Sequence, residues 1–175
     1  GYIDPFGGQQ DLKDRVLRAV GDPTARFTED ALRILRGVRF AVRYGLVVEE
    51  KTFAAMAELR HLLDALSRER VFTELSGILP LVTAEQLALF APVLTAAIPE
   101  LGPMIGFDQR SPHHAFDVFT HTAYVVENTP KELSLRLAAL LHDVGKPATF
   151  TLDENGVGHF YDHASLSADM ADAVL

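Results

Sequence analysis

Leu32, Leu35, Val38 and Val42 recur at the three- and four-residue intervals of one helix face. Thr28 is placed to cap that helix, with Glu29 and Asp30 in a first turn where the helix dipole favours acids, and Gly45 is suited to end it. The pattern predicts a single helix over 28–44. Before it, the Gly- and Pro-rich segment 1–13 reads as turns. Residues 14–20 alternate Val16, Arg18 and Val20 with Arg15, Leu17 and Ala19, the mark of a short strand ended by Gly21-Asp22-Pro23. After it, helices are expected over 53–65, capped by Thr52, and over 68–78, capped by Ser67. Thr83-Ala84-Glu85-Gln86 has the capping-box pattern and opens a helix to about 97 that Pro92 kinks. Residues 99–113, with Pro99, Gly102, Pro103 and Pro112, read as a linker. Helices follow over 114–127 and 131–143, then a hairpin around Asn155-Gly156 within 149–160, and a last helix from about 163. The expected fold is mainly α, with a small β remnant at the start, one β-hairpin, and no internal repeat.

Composition narrows the class. Hydrophobic residues make up 48% of the 175, no apolar run is long enough to span a membrane, and no signal peptide is apparent. The chain has no cysteine, so neither disulfides nor thiolate metal sites are available. A cytoplasmic protein with no membrane association is expected. The net charge is −8, but it is uneven: residues 1–45 carry 8 basic and 6 acidic side chains, net +2, and residues 46–175 carry 8 and 18, net −10. A polyanion would meet the amino-terminal part first.

That local charge gathers in Arg26–Arg43. Glu29, Arg33 and Arg36 stand at helical spacing on one face, and Asp30 is three residues before Arg33. A solvated face with intrahelical ion pairs explains this at about 0.3–0.5 kcal/mol per pair. Group geometry suggests a second reading. A carboxylate accepts hydrogen bonds and a guanidinium donates in a planar fork, so an Asp/Arg pair presents complementary edges to cytosine or adenine and mismatched ones to uracil and guanine. The remaining arginines, Arg26, Arg36 and Arg39, are then placed for phosphates.

Three segments, "DPFGGQQDL" (4–12), "RAVGDPTARFTEDALRILRGVRF" (18–40) and "SRERVFTEL" (67–75), resemble in order and spacing the motifs that follow the catalytic head in class II tRNA nucleotidyltransferases, the CCA-adding enzymes, which bacterial poly(A) polymerases share. The resemblance covers about the first 80 residues. It implies that Asp30 and Arg33 select CTP and ATP, that Glu29 orients the arginine, and that Glu69 and Arg70 brace the neck. The family's Gly-Ser phosphate motif and the paired aspartates that hold Mg²⁺ for nucleotidyl transfer would precede residue 1. The expectation is a fragment that binds nucleotide and tRNA without polymerising alone.

"LLHDVGKP" (140–147) carries the other signal. His142 and Asp143 are adjacent, and imidazole with carboxylate suits Mn²⁺, Ni²⁺, Co²⁺, Fe or Mg²⁺. Gly145 allows a sharp helix end and leaves Lys146 free to face phosphate. With His121 in "FDVFTHT" 21 residues earlier, the stretch resembles the HD superfamily of metal-dependent phosphohydrolases. That resemblance implies metal ligands at His121, His142 and Asp143, and a last aspartate beyond Asp169 and Asp172. His159 and His163 resemble residues that bind substrate or a second metal; each also reads as a surface histidine. His113 and His114 read as capping or packing groups, His114 also as substrate-facing, and His61 as lying on a solvated face. A degenerate HD fold kept as a helical body is the plainer alternative.

The resulting division is the end of a nucleotidyltransferase head over 1–27, a helical neck and body binding RNA and nucleotide over 28–100, and a partial HD domain over 101–175. The expected function is the nucleotide-selecting part of a CCA-adding enzyme, with tRNA, ATP and CTP as partners. The alternatives are an HD-type phosphohydrolase or phosphodiesterase and a non-catalytic RNA-binding module.

Overall fold

The computed structural model describes residues 3–111 and 115–174; His113 and His114 lie outside the described residues. Among the described residues the fold is mainly α, with two small strand pairs. It divides into two compact units, Gly1–Val82 and Thr83–Leu175. The division falls where the Thr83 capping box opens a helix.

In the first unit, α1 (Gly8–Asp14) occupies much of the segment expected to be turns. The Asp4 carboxylate accepts from Gly8 N at 2.8 Å and Gln9 N at 2.9 Å, satisfying the free donors that open a helix. The expected strand over 14–20 shrinks to β1 (Val16–Leu17), which pairs in parallel with β2 (Val47–Val48). The predicted helix over 28–44 is in fact two. Asp22 caps α2 (Pro23–Glu29) by accepting from Ala25 N, and Pro23 sits at its first position, so Gly-Asp-Pro starts a helix as well as ending a strand. Asp30 then turns extended, at φ −152°, and its carboxylate accepts from Leu32 N at 3.2 Å at the start of α3 (Leu32–Tyr44). Gly45 ends α3 in the left-handed conformation.

α4 (Glu50–Glu58) is capped by Glu49 rather than Thr52, which lies in its first turn, and tightens to a 3₁₀ segment over Leu59–Ala65. α5 (Arg68–Ile78) matches expectation and packs on α3. Ile34, Leu35, Val38, Met56 and Ile78 are fully buried.

In the second unit the capping box forms in both directions between Thr83 and Gln86. The expected helix to 97 breaks at Phe90 into α6 (Ala84–Leu89) and α7 (Ala91–Ala97), with Pro92 in the first turn of α7. Pro99–Met104 form a 3₁₀ segment whose Leu101 and Met104 are buried, so this stretch is part of the core. α8 (Val118–Asn128) packs against α6 and α9 (Leu133–Leu141). After the short α10 (Lys146–Thr149) comes the predicted hairpin, β3 (Phe150–Leu152) antiparallel to β4 (Gly158–Phe160), and then α11 (His163–Val174).

Candidate functional sites

The first candidate site lies in the first unit. Leu17, Phe27, Phe40 and Met56 line a cavity of about 380 Å³, and Arg26, Arg33 and Arg36 also face it. Glu29 sits between two of these arginines: its carboxylate is 3.1 Å from Arg26 Nη2 and 2.8 Å from Arg33 Nη1. Arg33 Nη1 also donates to Arg26 O at 3.2 Å. The Asp30 carboxylate is not paired with the Arg33 guanidinium; the two residues meet only through Arg33 N donating to Asp30 O at 3.1 Å. Because the helix breaks at Asp30, its Oδ1 turns to Leu32 N and to Arg70 Nη2, each at 3.2 Å.

Arg36 and Arg39 converge on Glu74, a buried carboxylate on α5, at 3.6 and 3.0 Å. They are therefore not free phosphate-facing groups. A Cβ at Gly77 would stand 2.6 Å from Arg39 Cδ, so a bare backbone there lets the Arg39 stem cross to Glu74. Sequence reasoning missed Glu74; its only local signal is an acid on the face of α5 that also carries the buried Val71 and Ile78.

The second candidate site lies wholly in the second unit. α8 presents His121; Asp117 fixes the start of that helix by accepting from Thr120 N at 3.0 Å and Thr120 Oγ1 at 2.6 Å. α9 stops at Leu141, so His142 is its cap residue and Asp143 lies in the turn beyond. His121, His142 and Asp143 each bring one ligand atom within 4.8 Å of the others.

Asp143 Oδ2 is 3.1 Å from His142 Nε2, 3.7 Å from His121 Nε2 and 2.8 Å from Lys146 Nζ; Oδ1 is 3.6 Å from His163 Nε2. Oδ2 is fully buried, and these contacts are ion-pair approaches without hydrogen-bond alignment. His142 Nδ1 lies 2.8 Å from Ala139 O and His163 Nδ1 2.7 Å from Phe160 O. A carbonyl only accepts, so both Nδ1 atoms carry hydrogen and both Nε2 atoms turn to the carboxylate. Burial pushes the Asp143 carboxyl upward, but the close His142 and Lys146 outweigh it and hold the group well below the usual carboxylate range. The same carboxylate raises His142, against the opposing effect of burial.

A buried carboxylate oxygen without an aligned donor, faced by imidazole nitrogens, is a donor set that fits a divalent metal. Asp172 lines a cleft of about 600 Å³ that reaches His142, between α9 and α11, but is not in the ligand cluster. Lys146 is not free to face phosphate; it is buried against Asp143 and Gln109. His159 pairs with Asp153 at 3.1 Å and stacks on Tyr161 with ring centres 5.5 Å apart, whereas His163 reaches Asp143. The spacing of Asp143 and Lys146 permits their pairing. Gln109 left no signal in the sequence, being 37 residues from Lys146.

Two family descriptions match separate stretches of the chain. Residues 45–86 match the family described as "Probable RNA and SrmB- binding site of polymerase A", and residues 113–175 match the HD domain. The "Multifunctional CCA protein" of Aromatoleum aromaticum is 36% identical over 182 residues, covering 98% of this chain and 43% of that protein. The proteins of the same name from Burkholderia pseudomallei and Nitrosospira multiformis are 38% and 37% identical, each match covering 84% of this chain and 37% of the relative. The chain thus spans less than half the length of the curated relatives it matches.

Proposed function

Since the chain belongs to the CCA-adding enzyme and poly(A) polymerase family, in a region that carries an HD domain, we propose that its first unit selects the nucleotide during CCA addition to tRNA. CTP and ATP are the nucleotides, and tRNA is the nucleic acid. Asp30 and Arg33 read the base, Glu29 orients Arg33, and Arg26 serves phosphates, while Arg36 and Arg39, tied to Glu74, hold α3 against α5. Glu69 and Arg70 brace the neck. Mg²⁺ is the cofactor of the transfer itself.

The observation that carries this reading is the Glu29–Arg33 contact at the cavity where Arg26, Arg33 and Arg36 meet an apolar lining. Such a cavity suits a flat, anionic ligand. Base reading by Asp30 then requires it to leave Arg70, a change within reach because exposed pairs are worth about 0–1 kcal/mol. Calorimetric titration of the chain tests it: CTP and ATP should bind more tightly than UTP and GTP, and Asp30→Ala or Arg33→Ala should level the four. Equal affinities in the unsubstituted chain would remove the assignment.

A second activity is favoured by the cluster in the second unit. His121, His142 and Asp143 would hold one divalent metal, which supplies an electrophile for phosphoester hydrolysis. The protein's own part is to hold Nε2 of His142 toward the site through the Ala139 carbonyl. His163, beside Asp143 Oδ1, stands ready for a substrate or a further ligand. Metal content should vanish with His142→Ala; a chain that takes up no divalent metal refutes the reading.

A further inference from the structure

The Asp143 centre already contains a cation. Lys146 is only 6% exposed. Its ammonium is 2.8 Å from Asp143 Oδ2, 3.0 Å from Gln109 Oε1 and 5.2 Å from the centre of the Phe160 ring. A buried ammonium persists only when paired and hydrogen-bonded. Gln109, 1% exposed, is built for that task. Its Nε2 donates to Phe116 O at 3.1 Å, and its carbonyl faces Lys146, which only donates; a single amide orientation satisfies both. Behind it, Gly158 N donates to Arg110 O at 2.8 Å, and a Cβ on residue 158 would lie 2.2 Å from Gln109 O. Only glycine permits β4 to back Gln109 so closely.

We propose that Lys146, held by Gln109, is the resident counter-cation of the Asp143 centre and sets how tightly that centre takes a divalent metal. The proposal rests on the metal reading above. The ammonium 2.8 Å from Asp143 Oδ2 already balances that carboxylate's charge. A divalent ion approaching Asp143 Oδ2 meets a positive group already on that oxygen, where low dielectric strengthens repulsion. Replacing Lys146 with an uncharged side chain of similar length leaves the carboxylate's charge to the metal. It also removes the pairing that offsets the carboxylate's burial in the metal-free protein. Gln109→Glu offers the ammonium a second carboxylate and shifts the balance the same way with Lys146 retained.

The test titrates the full chain with Mn²⁺ by calorimetry, alongside thermal unfolding without metal, for the unsubstituted protein, Lys146→Met, Gln109→Glu and His142→Ala. Lys146→Met should lower the Mn²⁺ dissociation constant at least tenfold and lower the metal-free unfolding temperature. Gln109→Glu should lower the dissociation constant by a smaller factor. Unchanged or weaker Mn²⁺ binding by Lys146→Met overturns the proposal, and Gln109→Glu decides in its place if that variant does not fold. Tighter binding by Lys146→Met with none by a folded Gln109→Glu overturns the part given to Gln109. The metal reading survives these failures if the unsubstituted chain binds Mn²⁺ and His142→Ala does not. Absence of binding in all four removes both.

Discussion

Glu74 is buried, yet the arginines that face it are 43% and 28% exposed on their side chains. Removing the carboxylate strands the buried Nε of Arg39, while Arg36 has solvent to turn to. Glu74→Ala should therefore cost about 2 kcal/mol, between the values for a lost charged hydrogen bond and a broken buried pair. Glu74→Gln should cost less, since it keeps the shape and one acceptor. Arg70→Ala removes only the exposed contact with Asp30 and should cost under about 1 kcal/mol. Urea denaturation of the three variants ranks them, and a larger loss in Arg70→Ala than in Glu74→Ala would contradict the assigned burial costs.

At the scale of elements, Glu49 ties β2 and α4 together. Its carboxylate accepts from Thr52 N at 2.8 Å and Thr52 Oγ1 at 2.7 Å, and stands 3.2 Å from Arg18 Nη1. The Thr52 hydroxyl is the first reason its carboxyl titrates below the ordinary glutamate value of 4.5. A lowered folded pKa adds stability that is complete above the unfolded value and is lost as pH falls through the folded one. Stability followed by denaturant titration should thus fall below about pH 4.5, and Glu49→Gln should lose part of that acid dependence while being less stable at neutral pH. An unaltered acid limb would show that Glu49 does not contribute.

The same region shows what a sequence carries and what it does not. The Thr83–Gln86 box and Asn155-Gly156 act through neighbours a few residues away, so α6 and the hairpin were legible; Ser67 stands at the start of α5 without a side-chain capping bond. The break at Asp30 was not, because a threonine followed by two acids resembles a helix start while Asp22-Pro23 had already supplied one. His121, His142 and Asp143 were legible as a set because their types and spacing form a known pattern. Glu74 and Gln109 were not, because each meets its charged partner only after tertiary folding.

For the whole molecule, the charge division places net +2 in residues 1–45 and net −10 in the rest. The acidic majority attracts divalent cations diffusely, so specific binding in the second unit must be separated from general screening. A metal that binds only the folded chain adds RT ln(1 + [L]/Kd), about 2.7 kcal/mol at a hundredfold excess over Kd. For a chain of this size that corresponds to a rise of roughly 5–10 °C in unfolding temperature. The rise should saturate with Mn²⁺, reverse with chelator and disappear in His121→Ala and His142→Ala. Each of those variants removes one nitrogen of the donor set while leaving the acidic surface unchanged. Screening would instead grow smoothly with ionic strength, be matched by monovalent salt at equal strength, and persist in both histidine variants. If the unfolding temperature rises equally in the unsubstituted chain and in His142→Ala, the ion is acting on the surface and the three-residue centre is not its site.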